Sequence, residues 1–188
     1  MSTKLKIAAA VAAAVLLSAC SSPKHEPMPL VKFTPSMEVT EVWSKGLSSA
    51  EGFLVPAVYD DMVFAAGGKT LTRLNARTGE TEWSVSFNSP ITGGVGSDGY
   101  VTAVGLWDGN LEVVDAEGKV SWEKKLTTEL ASPPVVSHGL VIARTMDTRV
   151  SAFEASSGEL QWTYQRSQPA LTVRLPTRML AHDNFLFC

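Results

Sequence analysis

Cysteine, histidine and positive charge are all scarce in this chain, and each shortage removes a class of function. Only Cys20 and Cys188 are present, so the fold cannot rest on a framework of intramolecular disulfides. The three histidines, His25, His138 and His182, are scattered and show no metal-ligand spacing. Acidic residues outnumber basic ones, 19 to 16, and no basic stripe forms, which argues against nucleic acid as a partner. The apolar run from Ile7 to Leu17 is about half of the roughly 20 residues that a bilayer-spanning helix needs. Beyond residue 40 no apolar stripe repeats at helical spacing.

What is present is a tryptophan that returns about every 40 residues, at Trp43, Trp83, Trp122 and Trp162, a repeat-architecture signal. The last three close the segments Gly79-Glu80-Thr81-Glu82-Trp83, Gly118-Lys119-Val120-Ser121-Trp122 and Gly158-Glu159-Leu160-Gln161-Trp162. Between them each unit holds four short runs rich in apolar and β-branched residues. Turn residues such as Asp60-Asp61, Asp98-Gly99 and His138-Gly139 separate these runs. Four short strands per unit, joined by tight turns, make the blade of a β-propeller, so the expected class is all-β with four-stranded antiparallel blades. The tryptophan is expected on the outermost strand of each blade, its ring packed between adjacent sheets as a core residue. Trp107-Asp108 falls at the tip between the second and third strands of its unit. Neither neighbouring unit repeats it, so it reads as a turn with a rim aromatic.

The amino terminus reads as an address. Lys4 and Lys6 precede the apolar run, and Leu17-Ser18-Ala19-Cys20 follows it. The small residues before Cys20 resemble a bacterial lipobox, in which the cysteine is acylated and becomes the first mature residue. More than one acyl chain is needed for stable attachment, and lipoprotein modification supplies several. Ser21 stands where an aspartate would favour retention at the inner membrane, so the outer membrane is expected. Pro23, Pro27, Pro29 and Pro35 then mark an extended tether. The boundaries are 1–19 for the leader, 20–38 for the tether and 39–188 for an incomplete propeller. Met179 to Phe187 opens a fourth unit that stops before its own Gly-x-x-x-Trp, and Val39-Thr40-Glu41-Val42-Trp43 has the look of an outer strand. A free Cys188 is also unusual in an oxidising compartment. These features point to the amino-terminal half of a longer protein.

The lipobox, the proline-rich tether, the early Trp43 and repeats of the form Leu-x-x-Leu-Asn-Ala-x-x-Gly-x-x-x-Trp together resemble the BamB family of outer-membrane assembly lipoproteins. The repeat by itself is shared with pyrroloquinoline quinone (PQQ) dehydrogenases. The resemblance implies an eight-bladed propeller, of which about three and a half blades are here. It also implies a non-enzymatic accessory of the BAM complex on the periplasmic face of the outer membrane, without cofactor or metal. Its implied partners are the POTRA domains of BamA, other BAM subunits and nascent outer-membrane proteins.

One connection stands out independently. The stretch from Trp162 to the next turn at Asp183 is about five residues longer than the two before it, and the surplus falls at Gln168 to Pro176. Prolines there bracket apolar residues and an arginine, a composition suited to an interface anchor. Leu171-Thr172-Val173-Arg174 resembles the Leu-x-Leu-Arg loop through which the family contacts BamA, with Val173 in place of the second leucine. The expected roles are Leu171 and Val173 in an apolar groove and Arg174 on an acidic group. The alternative is an extended strand packed into the core. Two other functions compete: a PQQ-dependent dehydrogenase, and a structural or sugar-binding periplasmic lipoprotein for which only Trp107 is a candidate. Asp60, Asp98 and Asp183 occupy recurring turn positions and read as turn residues, not metal ligands.

Overall fold

A computed structural model of the chain describes residues 28–31, 33–34, 36–48, 54–167 and 177–188. The chain divides into two units, Met1–Thr40 and Glu41–Cys188. In the first, the described residues are exposed, including Met28, Leu30, Val31 and Phe33.

The second unit is built of antiparallel sheets in chain order. Strands β1 (Ala57–Tyr59), β2 (Met62–Gly67), β3 (Thr70–Asn75) and β4 (Thr81–Ser86) form the first. Strands β5 (Ile91–Ser97), β6 (Thr102–Leu106), β7 (Asn110–Val114) and β8 (Val120–Lys125) form the second. The third contains β9 (Val135–Ser137), β10 (Leu140–Arg144), β11 (Arg149–Glu154) and β12 (Leu160–Gln165). A final hairpin pairs β13 (Leu180–His182) with β14 (Phe185–Phe187). No helix occurs among the described residues. These are the blades of a β-propeller, as the repeat implies.

Each sheet meets the next face to face. Phe64, Leu71 and Phe87 pack against Ile91, Val95 and Val104, then Leu111 and Val113 against Val141 and Phe153, then Ile142 and Val150 against Met179. A middle strand is therefore covered on both faces, which is why β6 reads Thr-Ala-Val-Gly-Leu without polar alternation and is buried throughout. The outermost strands β4, β8 and β12 stay largely exposed.

The Gly-x-x-x-Trp segment locks these interfaces. Gly79, Gly118 and Gly158 take φ of 72°, 82° and 70°, values suited to glycine, at the turn from third to fourth strand. In the first two sheets Asn75 and Asp115 close this turn with side-chain oxygens that accept backbone N–H bonds. A register shift follows at one recurring place, Arg73/Leu74, Val113/Val114 and Ala152/Phe153, and sets the tryptophan's position on the outer strand. Its indole then crosses to the next sheet. Trp83 Nε1 donates to the Ala116 carbonyl at 2.9 Å, and Trp122 Nε1 to that of Ala155 at 2.8 Å. A Cβ on Gly118 would lie 2.8 Å from the ring of Trp83, so the glycine is also what admits the indole.

Val39 to Trp43, expected as an outer strand whose three companions are missing, pairs with no strand among the described residues. Trp43 nevertheless docks as its counterparts do, donating from Nε1 to the Ala76 carbonyl at 2.9 Å.

Candidate functional site

Antiparallel order places two kinds of connection at one end of the strands. The hairpins between second and third strands share a rim with the links from each fourth strand to the next sheet. Backbone bonds stitch this rim together: Trp107 N to Pro90 O at 2.8 Å, Leu126 N to Gly109 O at 3.0 Å and Met146 N to Glu129 O at 3.1 Å. Trp107 caps the β6–β7 hairpin as expected and is 63% exposed. It overlooks a shallow groove whose lining includes Gly109, Leu126, Thr128 and Met146. The Lys125 ammonium also donates to the Asp108 carbonyl beneath it.

The described ends of the link between β12 and β13 lie at this rim too. Thr148 Oγ1 reaches the Arg166 carbonyl at 2.9 Å, and Arg144 Nη1 donates to Thr177 Oγ1 at 2.9 Å. Leu171, Val173 and Arg174, expected to contact a partner, lie between these ends and outside the described residues. Cys20, expected to carry lipid, also lies outside them, as does His25.

The remaining candidates sit where the sequence placed them. His138 occupies a turn at φ 53°, its Nδ1 2.7 Å from Ser137 Oγ, and His182 immediately precedes the turn at Asp183. Asp60 and Asp183 both take φ of 48°, and Asp98 Oδ1 accepts the N–H groups of Tyr100 and Val101. Turn geometry accounts for all three aspartates. Among the described residues no group of three metal-ligating side chains converges.

Sequence reasoning missed a carboxyl pair. Glu112, only 8% exposed on β7, faces Glu123 across the ladder to β8. The register-equivalent pairs are hydroxyls, Thr72 with Ser84 at 3.1 Å and Ser151 with Thr163 at 3.2 Å. Burial first, then the charges of Glu123 and Asp108, pushes the Glu112 carboxyl from 4.5 up to about 7. Protonated Glu112 donates to the Glu123 carboxylate. Glu112 is buried while Glu123 lies exposed on the outer strand, so the effect of the pair falls on the packing of the sheet rather than on a site. At the next hairpin Asp147 behaves oppositely. Burial alone would raise its carboxyl, yet the hydroxyls of Thr145 and Thr127 and the nearby Arg149 hold it below its ordinary value.

The model of the family described as outer membrane protein assembly factor BamB matches residues 39–90 and 67–187. The assembly factor of that name from Burkholderia pseudomallei strain K96243 is 37% identical over 176 residues, covering 91% of this chain and 46% of the relative. The crystal structure of BamB from Moraxella catarrhalis is similar at a TM-score of 0.61 and 27% identity, over 69% of this chain and 40% of that one. Quinohemoprotein alcohol dehydrogenase from Comamonas testosteroni shares the fold alone, with a TM-score of 0.51, 22% identity, and coverage of 63% of this chain and 21% of that one. The chain thus spans about half the length of the curated relatives it matches. On the match of its repeats from residue 39 to 187, the chain belongs to the family of outer membrane protein assembly factor BamB.

Proposed function

We propose that the chain serves outer-membrane β-barrel assembly as a non-enzymatic scaffold lipoprotein without cofactor or metal. Cys20 carries the lipid and holds the protein to the periplasmic face of the outer membrane. Leu171 and Val173 seat in an apolar groove of the BamA POTRA domains, while Arg174 pairs with an acidic group beside it. Through that contact the protein works with the other BAM subunits and helps deliver nascent outer-membrane proteins. Family membership across the repeats is the observation that carries this reading. It gains support from the rim, where a rigid stack of sheets holds the described ends of the long connection.

The test is a binding titration of the full-length protein against detergent-solubilised BamA. Changing Leu171, Val173 and Arg174 together to alanine should weaken binding by at least about tenfold with the thermal midpoint unchanged. Unaltered affinity in a folded triple variant overturns the site. For the anchor, mass spectrometry of the processed protein should find an acylated Cys20 as the first residue. A Cys20→Ala variant should leave the membrane fraction, and a processed, lipid-free native protein contradicts the assignment.

A further inference from the structure

The third sheet departs from its neighbours at two register-equivalent positions, and both departures reach an end of the connection between β12 and β13. The first position lies on the second strand of each sheet. Ala66, Gly105 and Arg144 pair with Leu71, Leu111 and Val150 on the adjoining third strands. Small residues suit it, since a Cβ on Gly105 would come within 2.4 Å of the Leu130 side chain. Arg144 instead extends its guanidinium to donate to Thr177 Oγ1 at 2.9 Å.

The second departure is at the hairpin tip. Trp107-Asp108-Gly109 and Met146-Asp147-Thr148 are equivalent three-residue loops whose last residue is left-handed, at φ 82° for Gly109 and 62° for Thr148. Glycine takes that conformation freely, whereas a β-branched residue is strained there and persists only if its surroundings hold it. In the second sheet Leu126 N donates to the Gly109 carbonyl at 3.0 Å and the Lys125 ammonium to that of Asp108, while Gly109 itself contributes no side chain. Thr148 adds a side chain. Its hydroxyl lies 2.7 Å from the Asp147 carbonyl and 2.9 Å from that of Arg166, the two sharing its one proton. The hairpin is braced in turn. Asp147 sits between the Thr145 hydroxyl and Arg149, and Arg149 Nη2 donates to Gln165 Oε1 at 3.0 Å.

The geometry points to Arg144 and Thr148 as positioning residues that fix Thr177 and Arg166, the two ends of the 168–176 connection. Fixing both ends lowers the conformational entropy lost when that connection engages a partner, and so strengthens binding without a direct contact. This role rests on the reading of Leu171, Val173 and Arg174 as partner-binding residues. It also explains why a strained threonine stands where the neighbouring sheet uses glycine.

Full-length protein carrying Thr148→Gly, Thr148→Ser, Arg144→Ala, or Thr148→Gly with Arg144→Ala provides the test. Three readouts apply: thermal midpoint, affinity for solubilised BamA, and hydrogen exchange of residues 168–176. Thr148→Gly should keep or raise the midpoint, because it relieves the strained φ, yet weaken binding; the double variant should lose about tenfold. Thr148→Ser, which retains the hydroxyl, should bind as the native protein does. Exchange at 168–176 should accelerate in the double variant. Native affinity in the double variant, alongside lost binding in the Leu171/Val173/Arg174 triple variant, overturns the positioning role. If the triple variant binds normally, the partner-site reading falls by itself, and unchanged exchange in the double variant then overturns the clamp separately.

Discussion

Replacing Trp122 with alanine lowers the unfolding free energy by about 3–5 kcal/mol, among the largest costs expected of a single core substitution. Three losses combine. The indole leaves the interface between the second and third sheets, where its ring lies 6.1 Å from that of Phe153. The Ala155 carbonyl loses the Nε1 donor that reached it at 2.8 Å. The close seat of the ring over Gly158, whose added Cβ would stand 2.7 Å from it, is left empty. Urea unfolding should show a lower midpoint with an unchanged slope. Trp162→Ala in the 188-residue chain should cost only about 1 kcal/mol. Trp162 is already 39% exposed, and the next sheet among the described residues has only β13 and β14, without the turn that offers a carbonyl and a glycine. Equal losses at Trp122 and Trp162 would show that the indole acts within its own sheet rather than between sheets.

Glu112→Gln should raise stability at pH 8 and leave it nearly unchanged at pH 4. The sign follows from the raised carboxyl. In the unfolded chain Glu112 loses its proton near 4.5, whereas in the folded chain it holds it to about 7. Between those values the folded state binds more protons than the unfolded one, so native stability falls as pH rises through that window and levels off above it. The full span corresponds to roughly 1–3 kcal/mol. Among the described residues no cation offsets the charge. Arg73, on the first-sheet face that packs here, is paired with Glu82 at 2.6 Å and donates to the Ala116 carbonyl. Glutamine retains a donor for Glu123 without the titration. Denaturation midpoints of the two proteins should therefore converge at pH 4 and separate at pH 8; parallel curves would contradict the pairing.

Much of the architecture was legible because it depends on spacing. The tryptophan period marked the blades, and the Gly-to-Trp interval marked the turn and outer strand that the structure displays. Trp107 could be assigned to a hairpin tip because only one unit carries it. Val39 to Trp43 is unpaired among the described residues, since strand-like composition forms a strand only beside a partner, while the Trp43 indole needs just the turn at Ala76 to Gly79. Glu112 was invisible for a different reason. Its neighbour Glu123 is eleven residues on and meets it only through the β7–β8 register, which the register shift at Val113/Val114 sets. Arg144 and Thr148 are intermediate cases. Laying Asp147-Thr148 over Asp108-Gly109 exposes the substitution, but the left-handed φ and the bond to Arg166 appear only in three dimensions.

Hydrogen-exchange footprinting of the full-length protein with and without BamA tests the functional account most directly. Protection should concentrate on residues 168–176 and the neighbouring rim. Protection confined to the opposite rim, at the turns of Asp60-Asp61, Gly99-Tyr100 and His138-Gly139, with 168–176 unchanged, would contradict it.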